Sequence, residues 1–196
     1  LQPFLRNLND DKEGAKNFIE YALKKNPDIK VYVYAQYTHM KGIDYQTLWR
    51  QDVSQYLETM QSADHNETPM RSRGYYEALT REIQKMFPDV EVVMVPVGHA
   101  FSLLDERVKA GQVPGIENVF ELWADATHVN RFGSYLVGMT WYATIFGESP
   151  VGMEVSAYQG TEGNPREPFI TPEQSRIFQE IAWEVTATSP LSGVTD

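Results

Sequence analysis

A chain of 196 residues with 17 Lys+Arg against 27 Asp+Glu carries a formal charge of −10 and contains no cysteine. The length suits one domain with its own core, and 42% hydrophobic with 22% charged residues are globular proportions, not those of a disordered chain. These values exclude a disulfide framework, a thiol nucleophile and thiolate-held zinc, and they disfavour a polyanion as main partner, which would need a concentrated basic face.

The absence of cysteine names no compartment. The chain opens on Leu1-Gln2-Pro3-Phe4, with neither an initiator Met nor a signal peptide, and reads as processed or as a piece of something longer. Residues 9–25 carry a helical pattern: Asn9 or Asp10 can cap, Asp11 and Glu13 sit in the first turn, and Phe18, Ile19, Ala22 and Leu23 form a stripe. Asn26-Pro27-Asp28 stops it. Residues 29–36 then read as a strand rich in β-branched and aromatic side chains. Tyr45, Leu48, Trp49, Val53, Tyr56 and Leu57 recur at spacings of three and four, predicting a helix over 45–60.

A further helix is predicted over 70–87, with Tyr75, Leu79, Ile83 and Met86 on one face and Pro88-Asp89 as its stop. Residues 90–97 form a nearly continuous apolar strand of the kind buried on both faces of a parallel sheet. Its core is an apolar run of about six residues, far short of a membrane span. The repeated order of helix, Pro-Asp and strand predicts an α/β architecture, a parallel sheet with helices packed over it. A short helix is expected over 101–110, a turn over 111–115 and a loop over 122–128. Asn130 then caps a helix striped by Phe132, Tyr135, Leu136, Met139, Tyr142, Ala143 and Phe146 and closed by Gly147. After a loop over 148–170, Thr171-Pro172-Glu173-Gln174 forms a capping box that opens a last helix through Ile177, Phe178, Ile181 and Val185.

Histidine is the usual general base near neutral pH, and the chain has four: His39, His65, His99 and His128. Only His128 has an Asp three residues upstream in a loop before a capped helix. Asp125 so placed can turn back and accept from the imidazole Nδ1–H, leaving Nε2 to take a proton from a hydroxyl or a water. By chance alone, ten Asp and four His in this length give about 0.2 such pairs. The spacing is therefore weak by itself, and taken alone it is better explained by a stabilised surface loop.

The surrounding run carries more. Asp125-Ala126-Thr127-His128-Val129-Asn130-Arg131-Phe132-Gly133-Ser134-Tyr135-Leu136 resembles the last signature block of the SGNH (GDSL-type) hydrolases, an Asp-x-x-His followed by Gly-x-Tyr-Leu in the opening of the final helix. Tyr142 through Gly152 is similar to the helix end of bacterial members. The resemblance covers residues 1–152 as the later part of such a domain, with 153–196 as a C-terminal loop and helix packed on the same domain. It implies a three-layer α/β fold with a flavodoxin-like parallel sheet flanked by helices, its front lying upstream of Leu1. It also implies a serine-type ester hydrolase acting on acyl or acetyl groups, on a carbohydrate, with Asp125 and His128 as two members of a Ser-His-Asp triad. An extracytoplasmic location is implied in the same way.

The family's Gly-Asp-Ser block occurs nowhere in the sequence, so the nucleophile is expected upstream. Ser54, Ser102, Ser134 and Ser156 lack the strand-then-turn setting of a nucleophile, and Ser134 reads as a helix residue. Oxyanion or substrate contacts are expected from Gln2 and Asn7, whose plain alternative is a solvated polar residue near a chain end. Ligands of doubly wound sheets bind at the carboxyl ends of the strands. That rule collects Gln2, Gln36, His39, His99 and the Asp125–His128 loop onto one edge, although His39 and His99 read more readily as hydrogen-bonded loop residues than as substrate contacts.

No zinc-type His pairing occurs, so no metal and no cofactor is expected, and His65 reads as solvated. Tyr37, Tyr45, Trp49 and Trp123 flank the edge as sugar-stacking or core rings. Asp10, Asp11 and Glu162 read as solvated surface. The expected partner is a carbohydrate or other small-molecule ester, with no nucleic acid and no membrane. The rival reading is a non-catalytic module of the same fold that binds a glycan or a partner protein.

Overall fold

A computed structural model describes residues 1–3, 8–38, 72–154 and 169–194. Within them the elements run α1 (Leu8–Leu23), β1 (Lys30–Tyr34), α2 (Arg73–Met86), β2 (Glu91–Val95), α3 (Val97–Lys109), a 3-10 turn (Val119–Leu122), α4 (Arg131–Phe146) and α5 (Pro172–Thr188). The predicted helix over 45–60 lies outside the described residues.

Strands β1 and β2 pair in parallel, with Val31 opposite Val92 and Val33 opposite Met94. The pairing continues on both flanks. The Leu1 amino group donates to the Tyr32 carbonyl at 2.5 Å, and the Leu1 carbonyl accepts from the Tyr34 N–H at 2.8 Å. That slanted pattern is a parallel one centred on Val33. On the far side, the Met94 N–H donates to the Leu191 carbonyl at 2.7 Å.

Alternation along β1 sorts its two faces. Tyr32 and Tyr34 turn toward Trp141 of α4, with ring centroids 6.0 and 5.6 Å away. Val31, Val33 and Ala35 point to the opposite side and are buried. In β2 the four residues after Glu91 are all buried, as a continuous apolar strand requires. Helix α1 packs on α2, α2 on β2, α4 on β2, and α5 on α3 and α4. The fold is thus mixed α/β, helices around a small parallel sheet. No described helix is long and apolar enough to cross a membrane.

Local chemistry accounts for the helix ends. The Ser72 hydroxyl accepts from the Tyr75 N–H at 3.3 Å and opens α2, and Pro88 follows its C-cap residue Phe87. Asn130 caps α4 through Oδ1, which accepts from the Phe132 and Gly133 N–H groups, and Gly147 closes that helix at φ 65°. The expected capping box opens α5: the Thr171 hydroxyl accepts from Gln174 N–H, and Gln174 Oε1 accepts from Thr171 N–H, with Pro172 at the first helical position. Helices α4 and α5 are also joined by polar groups, since Gln179 Nε2 donates to the Tyr135 hydroxyl at 2.6 Å, itself 2.8 Å from Ser175 Oγ.

Several element ends and one burial differ from the sequence expectation. Helix α1 starts at Leu8, so Asn9 and Asp10 stand within it rather than capping it. Strand β1 is five residues long, because Gln36 N–H already turns back to the Tyr34 carbonyl. Helix α3 begins at Val97, four residues early, because Pro96 cannot donate to the ladder and its fixed φ suits a helix start. Finally, Asp11 is 6% exposed rather than solvated, and its carboxylate accepts from the buried Tyr75 hydroxyl, which supplies the partner that burial demands.

Candidate functional site

The loop over 122–128 is a closed turn rather than an irregular link. Its two ends meet in an antiparallel bridge between Trp123 and Val129. Inside it the Ala124 N–H donates to the His128 carbonyl at 2.8 Å, and below it the Asn130 N–H donates to the Leu122 carbonyl at 2.8 Å. Asn130 Nδ2 also donates to the Glu121 carbonyl at 2.6 Å, so one buried side chain caps α4 and holds the base of the turn. Gly133 lies directly beneath. A Cβ there would stand 2.5 Å from Val129 Cβ and 2.8 Å from the Leu122 carbonyl oxygen, so only glycine lets the turn sit this close to α4.

At the tip, Asp125 gathers three donors. Its Oδ1 accepts from the backbone N–H groups of Thr127 at 2.7 Å and His128 at 2.8 Å, and its Oδ2 lies 2.9 Å from His128 Nδ1. Those two backbone bonds, with the ring after them, hold the Asp125 carboxyl far below the usual carboxylate range. The tautomer that makes the ring bond carries its proton on Nδ1 and leaves the Nε2 lone pair outward. The side chains of His128 and Asp125 are 76% and 56% exposed, so the pair is open to solvent. No described hydroxyl is hydrogen-bonded to the His128 ring.

Gln2 and Gln36 meet beyond the carboxyl end of β1, where Gln2 Nε2 donates to Gln36 Oε1 at 3.1 Å. Gln2 also lines a cavity of about 440 Å³ whose walls are mainly apolar, formed by Leu1, Pro3, Ala15, Phe18 and Leu79 among others. Tyr37 and Trp123, the described members of the aromatic set flanking the edge, are each only 7% exposed and belong to the core. Their rings lie 5.7 Å apart edge-on, and Phe101 stands 5.1 Å from both. Burial leaves neither face open to a sugar.

His99 occupies the first turn of α3 rather than a loop, and its ring turns toward α2. Nε2 lies 3.4 Å from Glu77 Oε1, which also accepts from Arg73 Nε at 2.7 Å. Burial pushes the imidazole below its ordinary pKa, against the pull of the Glu77 hydrogen bond. For Glu77 burial opposes ionisation, but the hydrogen bonds from His99 and Arg73 outweigh it and hold the carboxyl below the usual range. His99 is therefore engaged in a structural ion cluster. Asn7, His39, His65, Tyr45, Trp49, Ser54, Ser156 and Glu162 lie outside the described residues. Ser102 is buried in α3, and Ser134 is an exposed residue of α4. Among the described residues no group of three or more His, Asp or Glu side chains could hold a metal ion.

Parts of this arrangement carry little or no sequence signal. Glu77 is 22 residues from His99, with no motif joining them. Trp123 reads from the sequence as a sugar-stacking or core ring, and the rings packed around it place it in the core. Asn130 was readable as a cap, but its grip on Glu121 was not. No family model, curated protein or solved structure matches the chain.

Proposed function

We propose that the chain belongs to a serine-type ester hydrolase of the SGNH class acting on acyl or acetyl esters of a carbohydrate. The Asp125–His128 geometry carries this reading. A carboxylate fixed by two backbone donors orients Nδ1–H, and an exposed Nε2 stands ready as general base. Supporting it are the Asp-x-x-His run with its following Gly-x-Tyr-Leu helix start, and helices packed around a parallel sheet, to which the reading adds the three-layer flavodoxin-like order.

In the proposed reaction, Nε2 accepts the proton of a serine hydroxyl as Oγ bonds to the ester carbonyl carbon. Collapse of the tetrahedral oxyanion breaks the bond to the alcohol oxygen, which takes the proton back from His128. Water then repeats the sequence on the acyl-serine and regenerates the hydroxyl. The serine comes from a Gly-Asp-Ser block that these 196 residues do not contain. Gln2, steadied by Gln36 beyond the carboxyl end of β1, is assigned to the oxyanion or acyl side. Asn7, His39 and His99 stay as substrate-side candidates of lower standing, since His99 is already paired with Glu77.

Acetate release from an acetylated oligosaccharide by the natural polypeptide containing this chain tests the assignment. His128→Ala should lower kcat by at least about 10³-fold, the scale of losing a triad base. An unchanged rate overturns the reading. The absence of a Gly-Asp-Ser block from the sequence, and of a hydroxyl bonded to the His128 ring among the described residues, favours a second reading, a glycan- or protein-binding module without turnover. Oligosaccharide binding with no ester cleavage by the natural polypeptide selects it.

A further inference from the structure

We infer that Trp123 is a positioning residue for the proposed base: its indole, held among Tyr37, Phe101 and Phe120, sets where the Asp125–His128 turn stands against the carboxyl edge of the sheet. Only the kinetic half of this inference rests on the hydrolase reading. The structural half is independent of it.

The acid–base pair is a local object. Every bond that joins Asp125 to His128 lies within four consecutive residues, so the pair persists wherever the turn as a whole is placed. What those bonds cannot fix is the distance from His128 to the groups at the strand ends. The turn is exposed at its tip and stands on two feet, Trp123 and Val129. Val129 rests on Gly133 and so ties the turn to α4. Trp123 ties it to the segment that follows β1 and to α3, which follows β2.

Four rings converge there from separate parts of the chain. Tyr37 follows β1, Phe101 belongs to α3 after β2, and Phe120 comes from the 3-10 turn, with centroids 5.7, 5.1 and 5.6 Å from the indole. Three of the contacts are edge-on, the arrangement favoured by aromatic quadrupoles, which resists sliding more than aliphatic packing does. Tyr37 is the chain neighbour of Gln36, whose side chain holds Gln2. The path from the Gln2 amide to His128 therefore runs through Gln36, Tyr37 and Trp123, two residues before Asp125. A catalytic group displaced by about 1 Å loses on the order of 10²-fold in rate.

The test combines kinetics with two readouts that a folding defect alone would not separate. In the natural polypeptide, Trp123→Ala should lower kcat on the order of 10²-fold with KM little changed, while the downfield His128 Nδ1–H proton signal persists. Trp123→Phe, which keeps an edge-on ring, should recover most of the rate. For the structural half, the 196-residue chain has no cysteine, so Ala126→Cys takes a single nitroxide label on the turn. Its relaxation effect on the Gln36 side-chain amide should be sharp in the parent chain and weakened in Trp123→Ala. Should Trp123→Ala fail to fold, Trp123→Leu, which fills much of the volume without a ring, gives the same comparison. A folded variant with unchanged relaxation and unchanged kcat overturns the inference. Loss of the Nδ1–H signal in step with kcat also overturns it, because Trp123 would then only build the turn. If His128→Ala leaves hydrolysis intact, the hydrolase reading fails while the relaxation measurement still decides the role of Trp123.

Discussion

The Asp125 carboxylate holds the His128 residue twice, through its ring Nδ1 at 2.9 Å and its backbone N–H at 2.8 Å. An exposed ion pair alone adds little stability. The double attachment matters through geometry, because the same carboxylate that selects the tautomer also fixes the backbone from which the ring springs.

This double attachment is visible by titration. The Thr127 and His128 amide protons should report Asp125 ionisation with a midpoint far below the usual carboxylate value of about 3.9. The folded pKa is depressed, so the contribution of this carboxylate is present above that ordinary value and fades as pH falls toward the folded one. Amide titration from pH 6 down to pH 2 checks it: no transition should occur at the ordinary value, and a midpoint there would show that the two backbone bonds are not made in solution.

Replacing Asn130 should cost more than an ordinary cap. Asn130→Ala removes the acceptor of two α4 amides and also the donor to the Glu121 carbonyl, and caps alone are worth about 1–2 kcal/mol. Asn130→Asp keeps the cap and loses the donor. Urea unfolding should rank the parent above Asn130→Asp and Asn130→Asp above Asn130→Ala. Equal midpoints for the parent and Asn130→Asp would mean that the Glu121 contact adds nothing, and equal midpoints for the two variants would mean the same of the cap.

Gly133→Ala is expected to act on the turn above it. The added methyl overlaps Val129 Cβ and the Leu122 carbonyl, and overpacking of this kind costs about 1–3 kcal/mol. Amide shifts confined to residues 122–130, with the sheet signals unmoved, would confirm that Gly133 seats the turn. Shifts spread through β1 and β2 would contradict it.

His99 gives the molecule an acid-side weakness. Burial depresses its imidazole pKa, so the unfolded chain binds more protons than the folded one below about 6.5. Stability from the neutral ring is complete above that pH and falls away as pH drops toward the folded value. Urea midpoints of the parent should therefore fall between pH 7.5 and 5.5 by more than those of His99→Phe. Parallel slopes would clear His99 as the source.

The sequence exposes local chemistry and hides long-range contact. Pro-Asp stops, the Asn130 and Thr171 caps, the Gly147 end and the β-branched and aromatic run of β1 each act within a few residues, so all are legible. Asp125 and His128 belong to the same category, three residues apart with their carboxylate reaching back along one turn. Helix α3 was read short because a Val-Gly-His start carries no cap signal, and only Pro96 marks it. The buried state of Asp11 depended on Tyr75, 64 residues away. Gln2 meeting Gln36, and His99 turning to Glu77 rather than outward, likewise required the sheet to bring distant segments together.

The segment after α5 has a further consequence through the single bond from Met94 N–H to the Leu191 carbonyl. A parallel strand with an unpaired flank is a template for another chain. Leu191, 4% exposed, occupies that flank of β2, and Ser192 anchors it by donating to the Thr186 carbonyl at 2.7 Å. Cutting the chain after Thr188 would bare the most apolar strand of the sheet, so such a variant should self-associate through β2 well before it unfolds.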